Sequence, residues 1–208
     1  MTAPTPRHFS MLRSFRLADL ITLMNGFCGA GALLAFMRFL LDDDMPFFWL
    51  GTALLPIAFI MDALDGYVAR KTGKGSPLGK DLDSLADVVS FGVAPAAMAF
   101  AAGMRGGWDA LCLIYFVGCG ISRLARFNVT AAELSGPSGK VSHFEGLPIP
   151  TSLLQVAALA VLAALGHWQD QLPLASVSLA GFRLHPWTLL YVLHGSGMIS
   201  KTLRIPKP

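Results

Sequence analysis

Charge is scarce in this chain. Asp, Glu, Lys and Arg make up 14% of its 208 residues, against ~25% in ordinary globular proteins. That leaves too few charges to clothe the surface of a water-soluble globule. Polar, low-hydropathy sequence is lacking too. The apolar set makes up 54% of residues and the mean hydropathy is +0.57, which excludes disorder, a state that needs few apolar residues and high net charge. Cysteine is sparse: Cys28, Cys112 and Cys119 are odd in number and lie in apolar stretches. Neither a disulfide framework nor a Cys/His zinc spacing is supported. The net charge of +3 is too small to argue for nucleic acid. Internal repeats, low-complexity tracts, strand alternation and a second domain are also missing.

Long apolar runs, by contrast, are plentiful, and so are Gly (21) and Pro (13), both more frequent in membrane helices than in soluble ones. The expected fold is an all-α integral membrane protein. A span needs ~20 mostly apolar residues. Six stretches qualify: Leu17–Leu41, Phe47–Ala69, Leu82–Ala102, Ala110–Arg126, Pro148–Gly166 and Pro186–Thr202. Residues 1–16 form a separate N-terminal segment. There Arg7, Arg13 and Arg16 alternate with Phe9, Met11, Leu12 and Phe15, as in a short helix lying in the membrane interface. Residues 17–208 form one membrane domain.

The basic residues orient it. Thirteen of the 16 fall at one set of span ends and only Arg38, Arg105 and Arg183 at the other. The positive-inside rule then places both termini and the 70–80 loop in the cytoplasm, as in a multi-pass protein of a bacterial-type inner membrane.

Acidic residues are concentrated. Five of 13 (Asp62, Asp65, Asp81, Asp83, Asp87) fall between positions 62 and 87, while Asp42–Asp44 reads as a solvated loop. Asp62, Asp65, Gly66 and Ala69 are spaced i, i+3, i+4, i+7 and share one helix face; Gly79, Asp83 and Asp87 share a face of the next helix. The short link between them, with Gly75 and Pro77, makes the two helices antiparallel neighbours. Their acidic faces therefore meet at the cytoplasmic end. An Asp at the centre of a membrane helix costs ~2.5–3.5 kcal/mol, and like charges add to this unless protons or a cation neutralise them. A hard divalent cation (Mg²⁺, Mn²⁺ or Ca²⁺) suits a carboxylate-only set, and Mg²⁺ on carboxylates points to a phosphate-bearing substrate.

These residues spell D-x-x-D-G-x-x-A-R-x8-G-x-x-x-D-x-x-x-D from Asp62 to Asp87. The pattern resembles the signature of the CDP-alcohol phosphatidyltransferase family at every fixed position. The resemblance implies a two-metal centre, Mg²⁺ or Mn²⁺, held by Asp62, Asp65, Asp83 and Asp87, with Asp87 also the catalytic base. It places CDP-diacylglycerol on Gly66, Ala69 and Arg70, with Ser76 nearby and Thr22 and Asn25 on the first span. It implies a homodimer in the lipid bilayer. Asp83–Ala96, Arg123–Asn128 and Gly146–Pro150 resemble the branch of the family whose acceptor is L-serine. Arg123 and Arg126 are then the acceptor-side cations and Asn128 a hydrogen-bonding partner. Glycerol 3-phosphate, inositol phosphate or a related polyol stays open as the acceptor. A cation transporter built on the same aspartates is the alternative from another class; it would release no CMP.

Overall fold

The computed structural model describes residues 15–72, 77–133, 143–200 and 204–206. The N-terminal interfacial segment expected at 1–16 and the link carrying Ser76 lie outside the described residues, apart from positions 15 and 16. Helix α1 (Leu17–Asp42) and helix α2 (Met45–Thr72) form an antiparallel pair. Helix α3 (Pro77–Asp87), a π-helical stretch (Val88–Val93) and helix α4 (Ala94–Ala101) follow as one continuous rod, and helix α5 (Gly107–Glu133) runs back beside it.

Four helices, Leu17–Asp42, Met45–Thr72, Leu78–Ala101 and Gly107–Thr130, have the length and apolarity to cross a bilayer. The third is the central one: 61% of its apolar window is buried, against 28–33% for the others. The outer surfaces of the others are themselves apolar, with Phe27, Leu34, Met37, Ile60 and Ile114 all more than half exposed. Large exposed apolar side chains over a small buried core are what a lipid solvent permits.

The stretches expected as the fifth and sixth spans hold shorter helices. Pro148 and Pro150 open the fifth as a 3-10 turn (Ile149–Ser152) before helix α6 (Leu153–Ala164), and Gly166, at φ +80°, ends it. Helix α7 (Thr188–Met198) has 11 residues, a rise of only ~16 Å. The protein is therefore a mostly helical membrane protein in which, among the described residues, four helices reach spanning length.

Strands that the sequence pattern does not announce are present. β1 (His143–Glu145) pairs antiparallel with β4 (Arg204–Pro206), and β2 (Val177–Leu179) pairs with β3 (Phe182–Leu184). The second pair is a hairpin turning on Ala180 and Gly181, both at positive φ (50° and 83°). That is the type I′ geometry that suits two-residue hairpins. An Ala at the first turn position hides the usual Asn-Gly cue.

Two packing centres fix the bundle. At one end Phe36, Phe39 and Phe48 form an aromatic cluster with centroids 5.8 and 5.3 Å apart, and Trp168 stacks on Phe39 at 5.8 Å. The αL residue Asp43 caps α1 there by donating its N–H to the Phe39 carbonyl at 2.8 Å. At the other end α1 lies against α3 and the π-helix through small residues: a Cβ on Gly29 would overlap Ser90. The acidic residues of α2 and α3 gather at this second end.

Candidate active site

The site is built from three helices. α2 presents Asp62 and Asp65, α3 presents Asp83 and Asp87, and α1 lays Thr22 and Asn25 against them. One carboxylate oxygen each from Asp62, Asp83 and Asp87 lies within 4.8 Å of the other two, and the Asp62 and Asp83 carboxyl groups are in direct contact. Asp81 is exposed on the other side of α3, as its register demands.

Asp65 stands beside this trio rather than within it. Its charge reaches Asp62, Asp83 and Asp87, but one of its oxygens accepts a 2.5 Å hydrogen bond from the Thr22 hydroxyl. One turn further along α1, Asn25 donates from Nδ2 to Asp87 Oδ1 at 3.1 Å. Thr22 and Asn25, expected to meet the nucleotide, thus hold carboxylates in this structure. Both are buried, at 3% and 0% exposure, as are Asp65 and Asp87 at 6% and 7%.

The π-helix completes this anchoring. It begins directly after Asp87, and its Ser90 hydroxyl donates to the Asn25 carbonyl at 2.9 Å. Asn25 is therefore held by Asp87 at the start of the π-helical stretch and by Ser90 within it. Single π turns are common at functional sites because they re-aim a side chain without breaking the helix. Gly29 supplies the room for Ser90, and no contact pattern within one helix announces this arrangement.

Cations flank the acids. A Cβ on Gly66 would lie 3.3 Å from the Arg70 guanidinium, so Arg70 folds back over Gly66, within charge range of Asp65; Ala69 is half-buried beside them. Arg123 of α5 is half-buried, faces the charge of Asp87, and has its Nε buried with no hydrogen-bond partner. Its guanidinium lies 5.9 Å from the Phe127 ring centroid. Arg126 is exposed. Asn128 makes a reciprocal pair with Ser84 at 2.9 and 3.2 Å, and its carbonyl accepts from Lys80 at 2.9 Å. It ties α5 to α3 next to Asp83.

Sequence reasoning passed over four of these residues. Ser90, Ser84 and Lys80 act through partners 44 to 65 positions away. Asp19 is buried near Asp65 and accepts from the Arg16 N–H at 2.9 Å. Its place three residues into α1 is the one signal that was readable.

The donor set fits a hard divalent cation. It is all oxygen, three carboxylates converge, and Asp83 Oδ1 is buried without a partner. Mg²⁺ and Mn²⁺ prefer such ligands. The cluster is thus able to hold a metal ion at the end of the bundle where Arg70 and Arg123 stand ready for anionic groups.

The chain belongs to the CDP-alcohol phosphatidyltransferase family, whose model matches residues 15–192. It is a membrane phosphatidyltransferase. It is similar to a CDP-diacylglycerol–serine O-phosphatidyltransferase of Saccharomyces cerevisiae, 45% identical over 209 residues, which span 97% of this chain and 74% of that protein. A protein of the same description from Methanocaldococcus jannaschii is 36% identical over 74% of this chain and 65% of its own length. An archaetidylserine synthase of Methanothermobacter thermautotrophicus is 37% identical over 68% of this chain and 56% of its own length.

Proposed function

We propose that this protein transfers the phosphatidyl group of CDP-diacylglycerol to L-serine, releasing CMP and forming phosphatidylserine. The observation that carries the reading is the convergence of Asp62, Asp83 and Asp87 beside Arg123, in a family member whose relatives are named for serine transfer.

Each residue then has a task. Asp62, Asp65, Asp83 and Asp87 would hold two divalent ions, Mg²⁺ or Mn²⁺, which when bound would supply positive charge to the diphosphate and so ease the departure of CMP. Arg70, over Gly66 and beside Ala69, binds the diphosphate of the nucleotide lipid, since a guanidinium suits bidentate phosphate contact. Ser76 belongs to the same substrate side. Thr22 and Asn25 aim Asp65 and Asp87 while bordering the nucleotide. Arg123 pairs with the serine carboxylate, with Arg126 and Asn128 on the acceptor side. The bond from the serine hydroxyl oxygen to phosphorus forms as the phosphorus–oxygen bond to CMP breaks, and Asp87 takes the hydroxyl proton.

In this reading both termini and the site face the cytoplasm. α6 and α7, with their flanking residues, complete six spans in the 17–208 domain, and two copies form a homodimer in the bilayer. The interfacial segment 1–16 precedes the first span. The decisive experiment is an acceptor screen: purified protein, CDP-diacylglycerol, and serine, glycerol 3-phosphate or inositol phosphate in turn. Serine should support CMP release with phosphatidylserine as the lipid product. Product from the phosphorylated polyols and none from serine overturns the acceptor while leaving the family standing.

A further inference from the structure

A second polar site lies at the opposite end of α5 from the aspartates. Asp109, in the first turn of α5, is fully buried. It is separated from Arg123 by 14 positions, ~21 Å along a helix axis. Asp109 accepts four hydrogen bonds: from the N–H groups of Gly106 (2.8 Å) and His185 (2.7 Å), the Thr188 hydroxyl (2.7 Å) and His185 Nδ1 (2.6 Å). Its charge is thus consumed behind His185. With Nδ1 committed to Asp109, the imidazole keeps Nε2 for another partner.

In front of this group opens a pocket of about 170 Å³, lined by Gly103, Arg105, Gly106, Gln169, Arg183 and His185. Two glycines make it. Gly103 has φ +126°, and a Cβ there would meet the Gln169 backbone at 2.6 Å; a Cβ on Gly106 would overlap the Arg183 carbonyl. Arg105 is held in place by donating to the carbonyls of Phe100 (3.1 Å) and Ala101 (3.0 Å). Arg183, on β3, has no acid partner among the described residues. Asp43 accepts from Nε2 of the lining residue Gln169 at 3.0 Å. With Asp109 already capping the start of α5, two guanidiniums and an imidazole remain to favour an anion there.

The surroundings say which anion. The hairpin that carries Arg183 exposes Val177, Leu179 and Phe182, each 55–58%. It is fastened to α5 by the Trp108 indole N–H, which donates to the Leu179 carbonyl at 2.9 Å. Trp168 and Trp187 lie at the same end, the latter donating to the Pro173 carbonyl at 2.7 Å. Tryptophans and exposed apolar side chains around a cationic pocket mark the headgroup level of a bilayer. We propose that this pocket binds the phosphate of a phospholipid headgroup in the leaflet opposite the aspartate cluster, with the hairpin's apolar side chains against its acyl chains.

Native mass spectrometry of the full-length protein released from nanodiscs of phosphatidylcholine and phosphatidylglycerol tests this. The wild type should carry a phospholipid adduct that Arg183→Gln weakens about five-fold, the equivalent of ~1 kcal/mol for one arginine at a lipid surface. Arg183→Lys should keep most of it, and Arg105→Gln combined with Arg183→Gln should lose more. CMP release by Arg183→Gln should equal that of wild type, which separates loss of the site from loss of the fold. Millimolar inorganic phosphate should leave the adduct in place. Equal adducts in wild type and both glutamine variants overturn the proposal. So does displacement by inorganic phosphate alone, which would make free phosphate the ligand.

Discussion

Asn25 and Asp87 are 62 positions apart, yet the Asn25 side-chain amide donates to the Asp87 carboxylate at 3.1 Å, and the Asn25 carbonyl accepts from Ser90 one turn beyond Asp87. The carboxylate assigned as the base is thus oriented from the neighbouring helix. Asn25→Ala should lower kcat roughly 10- to 100-fold, the usual cost of losing an orienting partner around a metal-site ligand. The KM for serine should change little. Steady-state CMP release checks this, and an unchanged kcat would show that Asp87 is aimed by something else.

Asp87→Asn removes the proton acceptor and should cut turnover by ~10²–10⁴ while CDP-diacylglycerol still binds. Asp62→Asn or Asp65→Asn should raise the metal concentration needed for activity as well. Asp81→Asn should stay near wild type, because Asp81 is exposed on the opposite face of α3. A folded but inactive Asp81→Asn protein would mean that the wrong face of α3 has been assigned.

Chelation should abolish CMP release, and Mg²⁺ or Mn²⁺ should restore it. The reason is that Asp62, Asp83 and Asp87 crowd together with Asp83 Oδ1 buried and unpartnered. Full turnover in excess chelator is the contrary result.

Arg123→Ala should raise the KM for serine more than that for CDP-diacylglycerol, since Arg123 faces Asp87 with its Nε unpartnered. Arg70→Ala should do the reverse, because Arg70 lies over Gly66 on the nucleotide side. Initial-rate measurements with each substrate varied in turn decide between them. A reversal of the two effects would exchange the assignments.

Gly29→Ala should destabilise the protein by about 1–3 kcal/mol, the usual cost of overpacking a tight contact. The new methyl group meets both the side chain and the backbone of Ser90. Thermal unfolding in detergent measures it. Pairing Gly29→Ala with Ser90→Gly should recover only part of the loss, since the backbone approach remains.

The arrangement of the acids on helix faces was legible from spacing alone, because a helix repeats every 3.6 residues and i, i+3, i+4 positions must share a face. Asp62 and Asp65 on α2, and Asp83 and Asp87 on α3, follow from that rule. The division among them did not. Asp65 turns to Thr22, and the other three close together, because α1 packs against both helices through contacts with no periodic signature. The β2–β3 hairpin was equally silent, since Ala180 stands where an Asn would have announced the turn. The fifth and sixth apolar stretches read as spans by composition, but the prolines and glycines that punctuate them shorten the helices they contain.

By itself, then, the sequence determined the solvent this protein is built for, the helical class of its fold, the helices that carry the acids, and the family chemistry written in the Asp62–Asp87 pattern. These are properties of composition and short-range periodicity. Only the tertiary structure decided which carboxylates converge, that Asn25 and Ser90 orient Asp87, that Arg123 is the half-buried arginine while Arg126 is exposed, and that a cationic pocket forms at the far end from Arg105, Arg183 and His185. Each of these rests on side chains brought together from separate segments of the chain. Such meetings are set by how closely helices and loops can approach, at Gly29, Gly103 and Gly106 among other places, and local pattern carries no record of them.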